Sequence, residues 1–261
     1  MRIGIVGFGF IGREIARRIE ASAGRFELAF AYNRSPAALQ DLGPAYHLTD
    51  LSKAAEMTPD LIVECAHPAI TQEFGEIFLT CADYMPLSVT ALADDDLRHK
   101  LEDTANKNGK KLYLASGALL GGDALLMRDG EWERVRITFR KHPDNIDFSD
   151  SAFKAEDMTS ETIIFEGSAR DIATLYPRNV NTMVTCALVS TGLDACEARL
   201  ICDPSLDVAV AEVEAWGKDG GMLKTEKRQP AVGVSGTEML NSVWYSILRA
   251  SGGSEEALAL V

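Results

Sequence analysis

Gly4-Ile5-Val6-Gly7-Phe8-Gly9-Phe10-Ile11-Gly12 joins a short apolar run to a G-x-G-x-x-G turn and then to a helical pattern. Strand, glycine turn and helix in that order read as the opening of a dinucleotide-binding Rossmann unit. Each glycine has its own task there: Gly7 permits the tight turn, Gly9 lets backbone approach a pyrophosphate, and Gly12 lets the first helix pack close to the strand. The helix N-terminus, at Phe10 and Ile11, then carries the phosphate charge. A glycine turn in some other βα unit would share the motif, so the residues beyond Gly12 decide between the two.

Ile11, Ile15, Ala16 and Ile19 recur at helical spacing, and Phe26-Glu27-Leu28-Ala29-Phe30-Ala31-Tyr32 reads as a second buried strand that ends in Asn33-Arg34-Ser35. Asn33 therefore stands where the ribose-reading acid of a Rossmann unit normally sits. An acid there would accept from the 2′-hydroxyl of NAD and repel a 2′-phosphate, whereas Asn33 is uncharged and Arg34 and Ser35 offer donors. NADP is the favoured cofactor, with NAD as the alternative. The alternative for Arg34 is a solvated loop charge.

A chain of 261 residues with 46% hydrophobic content has enough material for a Rossmann domain plus a smaller second domain with its own core. No apolar run approaches the roughly 20 residues that span a bilayer. Residues 1 to 12 are already a strand and turn, so no secretory signal is expected and the predicted location is cytoplasmic. The five cysteines, Cys65, Cys81, Cys186, Cys196 and Cys202, have no metal-ligand spacing and read as reduced core thiols, with no metal expected. A net charge of −13 leaves no basic face for nucleic acid or for an anionic membrane. It does not bear on a small anionic substrate, which one or two local cations can bind.

Further along, Leu61-Ile62-Val63-Glu64-Cys65-Ala66 is a third strand, followed by His67-Pro68 and a helix to about Cys81. Its end, at Cys65, Ala66 and His67, is where a nicotinamide would lie. Tyr84 to Val89 reads as another strand, 93 to 108 as a helix capped by Gly109, and Lys111-Leu112-Tyr113-Leu114-Ala115 as the last strand of the series. Strands alternating with helices imply a parallel sheet. After Ser116-Gly117-Ala118 the pattern changes to longer strands (132 to 140, 160 to 167, then near 196 to 202, 208 to 216 and 221 to 228) with helices at 168 to 175 and 179 to 191. The expected fold is α/β: a doubly wound Rossmann domain over 1–120, a smaller α+β substrate and dimerisation domain over 121–235, and a C-terminal segment, 236–261, whose apolar-periodic helix (about 236 to 250) packs back on the first domain.

These residues resemble the L-aspartate dehydrogenase family over nearly the full length. The resemblance is carried by the early glycine motif, Glu64-Cys65-Ala66-His67-Pro68-Ala69, Ser116-Gly117-Ala118 with Gly122-Asp123-Ala124-Leu125, Arg140-Lys141-His142-Pro143, and Gly167-Ser168-Ala169 leading to Tyr176-Pro177-Arg178-Asn179-Val180-Asn181. It implies that Ala118 and Asn179 help hold the nicotinamide half of the cofactor, that the groove beside them takes the substrate, and that the protein is a homodimer.

The chain also departs from the family. Members carry an Asn-x-His after the Asp-Pro of a late strand, and its imidazole is taken as the catalytic group. Here Asp203-Pro204 is followed by Asp207-Val208-Ala209, which sets Ala209 at the histidine position. Gln229-Pro230-Ala231-Val232-Gly233 likewise replaces an Asn-Pro-Lys/Arg-Thr-Ser type loop. An iminium carbon is already electrophilic, so hydride transfer to it survives loss of that histidine. The substrate carboxylate must still be bound, for which Lys141 and His142 are the candidates by motif, with His67 near the nicotinamide; these three are the candidate catalytic residues. Each has a structural alternative: a surface turn for Lys141 and His142, a strand-end residue bonded to backbone for His67. Asp123 reads equally as a helix cap. The expected activity is NAD(P)-dependent interconversion of a small amino acid such as L-aspartate with its imine or oxo acid. The alternatives are a related reductase with another carbonyl or imine substrate, and a cofactor-binding protein without turnover.

Overall fold

The computed structural model describes residues 1–253. Two compact units divide the described residues: 1–88, 94–115 and 240–253 form the first, and 89–93 with 116–239 form the second. Residues 254–261 of the expected C-terminal segment lie outside the described residues.

In the first unit the order is β1 (Arg2–Val6), α1 (Phe10–Glu20), β2 (Glu27–Tyr32), β3 (Leu61–Glu64), α2 (Pro68–Cys81), β4 (Asp83–Pro86) and α3 (Asp95–Asn108). The strands form one parallel sheet in the order β2-β1-β3-β4. Parallel strands covered on both faces need near-continuous apolar sequence, and β1 and β3 provide it: Ile3, Ile5, Val6, Leu61, Ile62 and Val63 are fully buried. This is the Rossmann-like half of the α/β fold read from the sequence. The order reverses between β1 and β3, so a crevice opens outside their carboxyl ends. The helix Met239–Ala250 adds to this unit through Trp244, edge-on to Phe26 at 5.2 Å, and through Asn241, whose Oδ1 accepts from Arg18 at 2.7 Å.

Two strands are shorter than the sequence suggests. β4 stops at Pro86, although Leu87 N still donates to Glu64 O at 2.8 Å, and a 3-10 turn over Val89–Ala93 replaces the expected continuation. Lys111–Ala115 is not a strand. It meets Tyr84 through Tyr84 N to Lys111 O and Tyr113 N to Tyr84 O, both 2.8 Å, and then leaves the sheet.

Glu64 closes the sheet's carboxyl edge. Its fully buried carboxylate accepts from Ala66 N (2.6 Å), His67 N (2.8 Å), Ser88 Oγ (3.0 Å) and Ser88 N (3.1 Å). It thus fastens the turn before α2 to the chain leaving β4.

The second unit runs α4 (Gly122–Leu126), β5 (Trp132–Lys141), β6 (Thr162–Ser168), α5 (Ala169–Leu175), α6 (Asn181–Leu188), β7 (Glu197–Cys202), β8 (Ala209–Gly217) and β9 (Met222–Gln229), then a short hairpin of Ala231–Val232 with Ser235–Gly236. Its mixed five-stranded sheet has the order β6-β7-β5-β8-β9, with β5 and β7 parallel and the other pairs antiparallel. Side chains alternate across a strand. On β5 that alternation buries Val135, Ile137, Phe139 and Lys141, while Arg134, Arg136 and Arg140 take the opposite face and pair with Glu197 and Glu161.

Glu64→Ala leaves three backbone N–H groups and a hydroxyl without their acceptor. The two Ser88 donors are buried and those of Ala66 and His67 part-buried, so at about 1 kcal/mol for each buried donor the expected loss is about 2 kcal/mol or more. Urea unfolding of the variant beside the wild type measures it.

Candidate functional site

The turn after β1 has the shape a pyrophosphate requires. Gly7 has φ +98°, where an L side chain is strained, and a Cβ there would also sit 2.7 Å from the Cys65 carbonyl oxygen. A Cβ on Gly12 would lie 2.1 Å from the Gly7 carbonyl oxygen, so helix and turn touch only because that position is bare. A Cβ on Gly9 would meet nothing within 4 Å, which leaves the side facing the crevice open. The start of α1 carries no side-chain cap, so its first N–H groups, including those of Phe10 and Ile11, are presented to a ligand.

The other expected cofactor residues of this unit gather at the same sheet edge. Cys65 follows β3 and donates its thiol to the Gly7 carbonyl at 3.0 Å, with Ala66 and His67 exposed beyond it. Burial, aided by the neighbouring Glu64 charge, pushes the Cys65 thiol pKa far up, so it is a packing group and not a nucleophile. At the end of β2, Asn33 Oδ1 accepts from Phe8 N at 3.0 Å and its Nδ2 donates to the Ser35 carbonyl at 3.1 Å. The Asn33 amide therefore braces the glycine turn. Arg34 and Ser35 are exposed, and among the described residues no hydrogen bond or ion pair engages the Arg34 side chain.

The second unit holds an open cleft, about 70 Å³ in volume, that includes Ala118, Lys141, Arg178, Asn179, Ala209 and Gln229 in its lining. Strand parity points Lys141 inward from the end of β5. Its Nζ donates to the carbonyls of Val234 (3.0 Å) and Asn179 (3.4 Å) and stands 5.5 Å from the Phe139 ring centre. Among the described residues no carboxylate pairs with it, and burial pulls its pKa down to about 8. Arg178 is the second cation, with its side chain 56% exposed and Nη1 2.7 Å from Asp147 Oδ2. Hydrogen bonds from the Ser149 hydroxyl and N–H, together with Arg178, hold the Asp147 carboxyl below the usual range. Among the described residues no carboxylate lines the cleft.

Asn179 is buried, and its side-chain amide clamps the Asp147 backbone, accepting from N at 2.9 Å and donating to O at 2.8 Å. What it offers the cleft is largely its main-chain carbonyl, which holds Lys141. Ala118 N donates to Thr182 Oγ1 at 3.1 Å. Ala209 lies opposite Gln229 in the β8–β9 ladder, and the Gln229 side chain is fixed by Glu238 N at 3.0 Å.

Of the three candidate catalytic residues, Lys141 is the one in the cleft lining. His142 caps the 3-10 turn Pro143–Asn145, its Nδ1 accepting from Asp144 N at 3.2 Å, and does not line the cleft. His67 is in the first unit, where it caps α2 by accepting from Ala69 N at 3.2 Å. Both follow the structural alternative that their sequence context allowed. Asp123 lies within the first turn of α4, and Gly121 takes the cap position, so Asp123 is not the cap. The sequence pattern does not single out Arg178, which lies in the cleft lining within the Tyr176-Pro177-Arg178-Asn179 segment. A cation beside a residue implied at the cofactor was the available signal.

A family model described as the C-terminal domain of aspartate dehydrogenase matches residues 123–244, and one described as the NAD binding domain of homoserine dehydrogenase matches residues 7–115. The chain is 36% identical to an aspartate dehydrogenase domain-containing protein of Xenopus tropicalis, covering 97% of this chain and 95% of the relative. It is 32% identical to the L-aspartate dehydrogenase of Cupriavidus taiwanensis, with 100% of each chain covered. Among solved structures, aspartate dehydrogenase from Thermotoga maritima shares the fold with a TM-score of 0.75 at 24% identity, over 100% of this chain and 99% of that one.

Lys141 is a buried cation without a counter-charge, so Lys141→Met is expected to fold at least as stably as the wild type at neutral pH. The folded protein releases this proton near pH 8 while the unfolded chain keeps it to about 10.5, so stability relative to Lys141→Met rises as pH climbs through that window. Urea midpoints of both proteins at pH 7 and pH 10 check both statements.

Proposed function

The chain belongs to the aspartate dehydrogenase family, and we propose that it interconverts a small amino acid such as L-aspartate with its imine and oxo acid, using a nicotinamide cofactor. The observation that carries the substrate class is the cleft with two cations and, among the described residues, no carboxylate, in a chain whose net charge is −13. Arg178 shares its charge with Asp147, and Lys141 points inward with, among the described residues, no carboxylate paired to it. Arg178, exposed and planar, suits bidentate contact with a substrate carboxylate.

The bound cofactor supplies or accepts the hydride. Around it the chain positions and shields: the turn at Gly7, Gly9 and Gly12 and the start of α1 hold the pyrophosphate, while Asn33, Arg34 and Ser35 take the adenosine ribose. The uncharged Asn33 and the unengaged Arg34 guanidinium support NADP over NAD, since neither repels a 2′-phosphate and Arg34 attracts it.

Ala209 in the cleft lining favours a second reading, in which the same cofactor chemistry acts on another carbonyl or imine acceptor. A methyl group there leaves room and offers no proton-carrying group.

Initial rates of NADPH and NADH oxidation with oxaloacetate plus ammonium, beside a panel of other oxo acids and methylamine, test the proposal. Activity with oxaloacetate is the expected result; silence there with activity on another acceptor selects the second reading. Arg34→Ala is expected to weaken NADPH about tenfold or more while changing NADH little, as read from KM for each. Equal loss with both nucleotides would remove the 2′-phosphate role.

A further inference from the structure

We propose that Lys141 is the catalytic acid and base of this reaction, taking a proton from the water that attacks the substrate iminium and returning it to the departing nitrogen. The proposal rests on reading the cleft as the amino-acid site. Oxidation of an amino acid to its oxo acid cannot finish with hydride removal, because water must then add and ammonia must leave. Of the cleft residues, Arg178 carries a guanidinium with donors and no lone pair for a proton, Asn179 and Gln229 are amides, and Ala209 has only a methyl group. Among the described residues Lys141 is the one cleft side chain that titrates.

The geometry around Nζ suits that work. Two carbonyls, of Val234 and Asn179, accept its protons at 3.0 and 3.4 Å. A neutral amine has two N–H groups and one lone pair, so these carbonyls hold the N–H groups and leave the lone pair for a third partner. The charged groups around it agree. From the turn before α6 there is Arg178, neutralised by Asp147; on β9 there is Lys227, engaged by Glu238 at 3.1 Å; Cys202 lies beside Lys141 in the β7 ladder with its thiol pushed up to about 11. None of these brings an unpaired carboxylate that would keep Lys141 charged, and its burial favours the neutral form near pH 8.

The steps balance. The water oxygen bonds to the iminium carbon, its proton goes to the Lys141 amine, and the C=N pair returns to nitrogen to give a carbinolamine. The Lys141 ammonium then protonates that nitrogen, the C–N bond breaks with its pair leaving on ammonia, and the hydroxyl O–H pair forms the carbonyl. The hydroxyl proton leaves on Lys141 and then passes to ammonia, so iminium and water give oxo acid and ammonium. In reductive amination the same transfers run backwards.

Lys141→Arg keeps a cation in the cleft but not one that titrates. In the deaminating direction it is expected to lower kcat about 100-fold or more while KM for the amino acid moves less than about threefold. The wild-type rise of kcat/KM through pH about 8 should vanish with it. Independently of activity, ¹³C-lysine NMR of the wild type, assigned by the signal missing from Lys141→Arg or Lys141→Met, should show Lys141 titrating near 8. A midpoint near 10.5, or a Lys141→Arg enzyme that keeps both its kcat and the pH limb, overturns the assignment. Turnover by the wild type with those results overturns this inference alone, whereas a wild type silent on every amino and oxo acid overturns the reading of the cleft and this inference with it.

Discussion

A buried carboxylate with four donors and, among the described residues, no counter-cation, that of Glu64, fixes the carboxyl edge of the first sheet. Burial alone pushes its pKa up, and three N–H groups and a hydroxyl work against that push. Each donor comes from backbone or side chain at a place where the chain must change direction: the turn into α2 and the departure from β4. Without an acceptor at the end of β3, the Ser88 N–H and hydroxyl would be buried unpaired, and the turn carrying Cys65, Ala66 and His67 would lose the bonds that fix it. The glycine turn stands against that same segment, since Cys65 reaches the Gly7 carbonyl. The cofactor crevice is therefore built from main chain held in place by hydrogen bonds, with few side chains of its own.

The second unit uses burial in the opposite sense. There a cation is carried inward by strand parity, in register with Val135, Ile137 and Phe139, and is met by two carbonyl dipoles and the Phe139 ring. Such a placement costs stability, because a hydrocarbon of the same length would fill the site without desolvating a charge. Lys141 stands beside an open cleft whose lining also includes Ala118 and Ala209. Asn179 shows how the cost is limited: its amide secures the loop at Asp147, and its carbonyl supports Lys141.

Much of the architecture was legible because it depends on local pattern. Apolar runs of four to six residues gave β1, β2 and β3, helical spacing gave α1 and α2, and Gly109 in the left-handed region ends α3 where expected. Legibility failed where a short apolar run was taken for a strand. Lys111–Ala115 looks like one, yet it meets Tyr84 through an isolated bridge and not a continuous ladder. His142 and His67 show a related limit: a histidine before proline and the first turn of a helix is suited equally to capping and to catalysis, and sequence alone does not separate the two.

The sequence by itself determined the Rossmann-like unit, the family, and the glycines whose missing Cβ atoms shape the phosphate turn, because each depends on neighbours within a few residues. Tertiary structure decided which charged groups share a cleft. Lys141 and Arg178 are 37 positions apart and meet through β5 and the turn before α6, while Ala209 and Gln229 reach them from β8 and β9. Desolvation of Lys141, and hence its lowered pKa, belongs to no segment, since it arises from the sum of what several strands and turns pack around one amine.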